Sequence, residues 1–135
     1  MELTGADFDK IPRGNVRVPR AEFARVWLAA EQHQDAHPKD WRIAGVVGTC
    51  RWLACATVRP ASGGAWYSPA APVTEQTCAA HEEVIAAECL EAEKLAMRHP
   101  AWLDKRPGWI HAVVDTLNWA WRGSGVPPID MSQPG

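Results

Sequence analysis

Apolar residues recur at helical spacing in four stretches of this chain, and no clean two-residue alternation marks a strand. The first stretch follows Pro19. Phe23, Trp27 and Ala30 fall on one face, with Ala24 and Leu28 beside it. That spacing predicts a core-facing helix over 20–32. Asp40 is a good N-cap for a second helix over 40–57, which is apolar nearly all round and therefore expected to be buried on several sides. Gly45 and Gly48 lower its helix propensity by about 1 kcal/mol each, and the compensation expected is close approach of a neighbouring backbone. The third helix, over 74–98, is the longest and most charged, with Thr74 as its cap and Glu75 at the positive end of its dipole. It carries two apolar stripes. The broad one holds Cys78, Val84, Ile85, Cys89, Ala92, Leu95 and Ala96, and the narrow one Ala79, Ala86, Leu90 and Met97. Two stripes predict two neighbours, or one neighbour and a second subunit. The fourth helix, over 106–122, has Pro107 in its first turn. Its core face is Ile110, Val113, Val114, Leu117 and Trp121, and Gly123 is its stop.

The second and fourth helices echo each other. Residues 43–52 and 110–119 both fit I-x-x-V-V-x-T-x-x-W, through Ile43, Val46, Val47, Thr49 and Trp52 and through Ile110, Val113, Val114, Thr116 and Trp119. Each copy follows a His-Pro pair, His37-Pro38 and His99-Pro100. Two origins fit the echo: a duplicated hairpin, or the shared core demands of two central helices. In either case the second and fourth helices are expected to form the inner pair. Short connections favour antiparallel neighbours. The expected fold is therefore all-α, a four-helix bundle of two antiparallel hairpins. Its domain spans 19–123, between an irregular arm at 1–18, broken by Pro12, Gly14 and Pro19, and an extended tail at 124–135. A long Pro/Gly-rich loop over 59–73 joins the hairpins.

Composition changes this picture little. A chain of 135 residues is one domain and needs no staple. Arginine outnumbers lysine and alanine is abundant, a bias that fits the GC-rich coding of an actinomycete, one of its phages or a mobile element. The net charge of −2 argues against a protein devoted to neutralising nucleic-acid phosphates. The start of the chain, Met1 to Asp9, is acidic and reads as no secretory leader. The best apolar run, 43–58, is short and holds Arg51, so no membrane span is expected and the location expected is cytoplasmic. Four cysteines without C-x-x-C spacing read as small buried apolar residues.

The candidate chemistry is sparse. His81, Glu88 and His99 project along nearly one line inside the broad stripe of the third helix, with His111 and Arg51 as candidate partners. They are read as buried polar groups, because a carboxylate there has to be paired or protonated. The Glu-x-x-His signature of di-metal bundles is missing, and His81-Glu82 lacks the second histidine of a zincin. Neither a metal nor a cofactor is expected. Cys50, beside Arg51, is discounted as a nucleophile because it sits on the most apolar helix. Arg13, Arg17, Arg20 and Arg25 make a basic patch, interrupted by Glu22. The eight tryptophans carry more weight, since a domain this small cannot bury them all. Trp66, Tyr67, Trp102, Trp109 and Trp121 are the candidates for a partner surface, exposed aromatics being typical binding anchors.

These readings converge on a non-catalytic helical module that binds another protein or itself, as a homodimer, through the third helix and the Trp66 loop. One alternative is a metal- or ligand-binding bundle enzyme using Glu88, His81 and His111. Another is a nucleic-acid-associated protein using the N-terminal arginines.

Overall fold

The computed structural model describes residues 3–57 and 63–131. Their regular structure is helical: α1 (Gly5–Asp9), α2 (Arg20–Ala36), α3 (Trp41–Leu53), α4 (Glu82–Arg98) and α5 (Trp109–Ala120), with 3-10 turns at Arg13–Asn15 and Ala101–Lys105. No strand occurs among the described residues. The fold is all-α.

Helices α3 and α5 pack on each other, α2 lies against α3, and α4 lies against α5. The echoing positions have matching surroundings. Ile43, Val46, Thr49 and Trp52 are buried on α3, and Ile110, Val113, Thr116 and Trp119 on α5. Thr49 Oγ1 donates to the Gly45 carbonyl at 2.7 Å, and Thr116 Oγ1 donates to the Ala112 carbonyl at the same distance. Each hydroxyl thereby satisfies itself one turn back along its own helix, which lets threonine sit in an apolar seam. Of the five shared pairs, only the second valines differ: Val47 is buried and Val114 partly exposed.

Gly45 is the contact point of the inner pair. A methyl group there would lie 2.7 Å from the Trp109 carbonyl oxygen and 3.0 Å from Ala112 Cβ. Gly48 does not share this role, because a methyl on it would meet nothing within 4 Å. The close approach expected at both glycines is made at one.

Several boundaries differ from expectation. The third predicted helix starts at Glu82 rather than Thr74. The residues before it form a turn instead, with Glu75 at φ +60° and the Ala71 N–H donating to the Gln76 carbonyl at 2.9 Å. Cys78 and Ala79 therefore lie off the helix, and both are exposed. The second helix ends at Leu53, where Cys55 turns left-handed at φ +52°. The fourth begins at Trp109, after Gly108 at φ +79°. The arm read as irregular holds α1 and a 3-10 turn, and it contributes Ile11 and Val16 to the core. It also buries Asn15, whose Nδ2 donates to the Leu53 carbonyl at 2.8 Å and to the Ala80 carbonyl at 3.0 Å. One amide thus joins the end of α3 to the approach to α4. The tail is not free over its described part either: Pro128 is buried, and Ile129 and Met131 pack on the core. The tail beyond 131, and residues 58–62 of the predicted loop, lie outside the described residues.

Candidate interaction surface

Among the described residues two carboxylate side chains are buried, and sequence reasoning singled out only one of them. Glu88, on α4, is 1% exposed. It accepts from the Val73 N–H at 2.6 Å, from the Thr74 N–H at 3.2 Å and from Thr74 Oγ1 at 2.7 Å. Thr74 is therefore no helix cap. It pins the preceding turn to the middle of α4. The histidines expected beside Glu88 are elsewhere. His81 precedes α4 without a side-chain capping bond and is exposed, His111 is exposed on α5, and His99 closes α4 in a left-handed conformation with its ring 3.1 Å from Asp104. The expected line of buried polar groups thus reduces to Glu88. The one-line projection presumed a helix running through residue 81 to residue 99, and α4 ends short of both. Among the described residues, no group of three His, Cys, Asp or Glu side chains converges as a metal site would require.

The second carboxylate, Glu31, is also 1% exposed. It accepts from Arg51 through Nε at 2.8 Å and Nη2 at 2.7 Å, and from Trp27 Nε1 at 3.0 Å. Arg51 therefore pairs with Glu31, not with Glu88, and the pair bolts α2 to α3. Burial by itself would make the guanidinium easier to deprotonate, but the Glu31 hydrogen bonds and charge outweigh that effect, with Tyr67 and Asp35 adding to it, so its pKa lies above the ordinary value. Two signals in the sequence mark the members of this pair, although not their pairing. Glu31 lies one turn beyond Trp27 on the core face, and Arg51 is a charge on an otherwise apolar helix.

The cysteines divide. Cys50 and Cys89 are buried, Cys55 is partly buried and Cys78 is exposed. Burial, with the Glu31 charge adding, pushes the Cys50 thiol far above its ordinary value. Burial likewise lifts Cys89 to about 11, although Arg122 pulls it back. Both are held as neutral thiols at neutral pH, which removes their nucleophilic form.

The basic patch does not present four free guanidinium groups. Arg17 lies 4.2 Å from the Trp121 ring and 3.5 Å from Glu82, and Arg20 donates to the Ile11 carbonyl at 3.1 Å. Arg13 and Arg25 are exposed. Arg20 and Arg25 also flank an apolar depression of about 380 Å³ between α1 and α2, floored by Phe8, Ala24 and Leu28. Nothing in the sequence pattern marks it, because α1 is a single short turn.

The aromatic candidates separate into two groups. Trp66 and Tyr67 are exposed at 60% and 50%, and Trp102 at 45%. Trp109 and Trp121 are buried, contrary to the expectation of a contact role. Trp109 instead belongs to a cluster. The Arg106 guanidinium lies 5.2 Å from the rings of Trp41, Trp102 and Trp109, an arrangement favoured by the negative faces of the indoles. Arg106 thus staples together the first residues of α3 and α5. Trp41 is 39% exposed and was not among the contact candidates in the sequence.

The broad stripe of α4 is turned inward, through Ile85, Cys89 and Ala92. The narrow stripe is turned outward: Ala86, Leu90 and Met97 are exposed, Leu90 at 55% and Met97 at 87%.

No family model matches this chain, and no curated protein or solved structure compared with it is similar to it. Among the described residues, no helix is long and apolar enough to cross a membrane.

Proposed function

We propose that this protein is a non-catalytic helical module that binds a protein chain through the outer face of α4, with Trp66 and Tyr67 as a second contact. One observation carries the reading. α4 already satisfies its inner apolar stripe against α5, yet it keeps Leu90 and Met97 in water. Leaving large apolar side chains exposed forgoes about 1.5–3 kcal/mol each relative to full burial, and a helix with a spare apolar face is a common recognition element. Met97 adds an unbranched side chain that adapts to differing partner surfaces.

The scaffold behind this face is, in this reading, a bundle of two antiparallel helical hairpins. The matched burial and matched threonine hydrogen bonds of α3 and α5 support a common origin for the two inner helices.

Photocrosslinking in the cell that makes the protein tests the reading. A crosslinking amino acid at Leu90 or Trp66 is expected to give covalent protein adducts, whereas one at exposed Gln32 is not. If positions 90 and 66 give no more adduct than position 32, the proposed contact surface is wrong.

A further inference from the structure

The outer face of α4 has a charge pattern that makes it complementary to itself. Glu83, Leu90 and Met97 follow at seven-residue intervals and are all exposed. Seven residues are close to two helical turns, so the three lie along one seam. Glu83 stands in the first turn and Arg98 is the last residue of the helix, exposed beside the same seam. The neighbouring charges are already engaged: Lys94 with Glu91 at 3.2 Å, and Glu93 with Arg122. Glu83 and Arg98 have no ion-pair partner among the described residues. They cannot pair with each other, because fifteen residues of helix hold them about 22 Å apart.

Resting on the reading of α4 as a protein-binding face, we infer that its partner is a second copy of this chain, docked through α4 against α4 in antiparallel, two-fold fashion. Leu90 lies almost midway between Glu83 and Arg98. Placing Leu90 at the two-fold axis sets Glu83 of each copy beside Arg98 of the other. The two Leu90 side chains meet at the centre, and Met97 of each copy covers the stem of the opposite Glu83. Both ends close at once, as a two-fold contact requires. A parallel arrangement would instead set Glu83 against Glu83 and Arg98 against Arg98, which is repulsive at both ends. Small Ala86 beside the seam allows the helices to approach. The contact rests on a single helix pair. It is smaller than the roughly 1,600 Å² of a standard interface, so the association is weak and concentration-dependent.

Sedimentation equilibrium of the whole chain, up to about 1 mM, decides the matter. The wild-type chain is expected to shift from monomer to dimer across that range. Glu83→Arg and Arg98→Glu, each alone, place like charges at both ends and are expected to weaken the dimer at least tenfold. An equimolar mixture of the two variants restores opposite charges at both ends, so it is expected to associate more tightly than either variant alone. Leu90→Glu is expected to leave a monomer with unchanged helical circular dichroism. A wild-type chain that stays monomeric at 1 mM overturns the inference, and so does a mixture that associates no better than its components. If the chain is monomeric but crosslinks from position 90 to a different protein, self-pairing falls while the wider reading stands. If neither position 90 nor position 66 gives more crosslink than position 32, both fall.

Discussion

Helices α3 and α5 carry the same buried frame and do different work with what remains. Both bury an isoleucine, a valine, a threonine bonded one turn back, and a tryptophan at corresponding positions. They diverge where the frame leaves freedom. At the crossing, α3 has Gly45 where α5 has Ala112, because only one of two touching helices can carry a methyl at that point. Two turns on, α3 has Arg51 where α5 has Asn118. Arg51 reaches into the buried Glu31, whereas Asn118 accepts a hydrogen bond from Arg122 at the surface. Similar cores thus support different attachments. α3 is tied to α2 by charge, whereas α5 holds α4 by apolar packing and a surface ion pair.

The sharpest way to break the comparison is Glu31→Ala. It strands the Arg51 guanidinium and leaves Trp27 Nε1 without its acceptor. Removing one partner of a buried pair costs about 3 kcal/mol or more. Urea unfolding should report that loss, whereas Asn118→Ala on α5 should lower stability by less than about 1 kcal/mol. The double change Glu31→Met with Arg51→Leu should recover most of the loss. If it does not, the pair contributes more than the mere avoidance of an unpaired charge.

The two glycines of α3 sharpen the contrast next. Gly45→Ala forces a methyl into the Trp109 carbonyl and should destabilise by about 2 kcal/mol, as overpacking does. Gly48→Ala enters open space and should stabilise by up to about 1 kcal/mol through helix propensity. Equal effects in thermal unfolding would mean that the helix crossing is not where Gly45 places it.

The helix starts also differ. Asp40 caps α3 by accepting from the Ile43 N–H, whereas Gly108 precedes α5 with no side-chain cap. Slight burial of Asp40 acts to raise its pKa, but the Ile43 and Arg42 N–H groups and His33 outweigh it and hold the carboxyl below its ordinary value. Its stabilising contribution is therefore present above the unfolded carboxylate pKa, near ~3.9, and is lost as pH falls through the lower folded value. Asp40→Ala should cost about 1 kcal/mol or less at pH 6, and that difference should shrink by pH 3 in parallel denaturation curves.

The smallest effect probes the shared frame itself. Thr49→Val and Thr116→Val each remove a hydroxyl bonded within its own helix and leave the Gly45 or Ala112 carbonyl its helical bonding. Each should change stability by less than about 1 kcal/mol, because the net worth of such a bond is small. The two should match within a few tenths, a comparison best made by midpoint shifts in guanidinium. A clear mismatch would show that the echo is one of sequence and not of environment.

The sequence by itself determined the four long helices, though not α1 or the start of α4, and it determined the inner pair, because period and composition are local properties of a chain. Phe23, Trp27 and Ala30 had to share a face, and the run over 43–55, apolar but for Thr49 and Arg51, had to lie inside. It also set out the two stripes of α4, although not which of them would meet α5. Tertiary structure decided everything that depends on a partner distant in the chain. Whether Arg51 would answer Glu31 or Glu88, whether Gly45 or Gly48 would meet a backbone, and which tryptophans Arg106 would gather were not legible, since one helical face fits many neighbours. The start of α4 was misread for the same reason. Thr74 has the local look of a cap, but Glu88, fourteen residues later, offers its backbone N–H and hydroxyl a buried acceptor. A charge taken out of water must find donors wherever the fold provides them, and that requirement overrode the local preference.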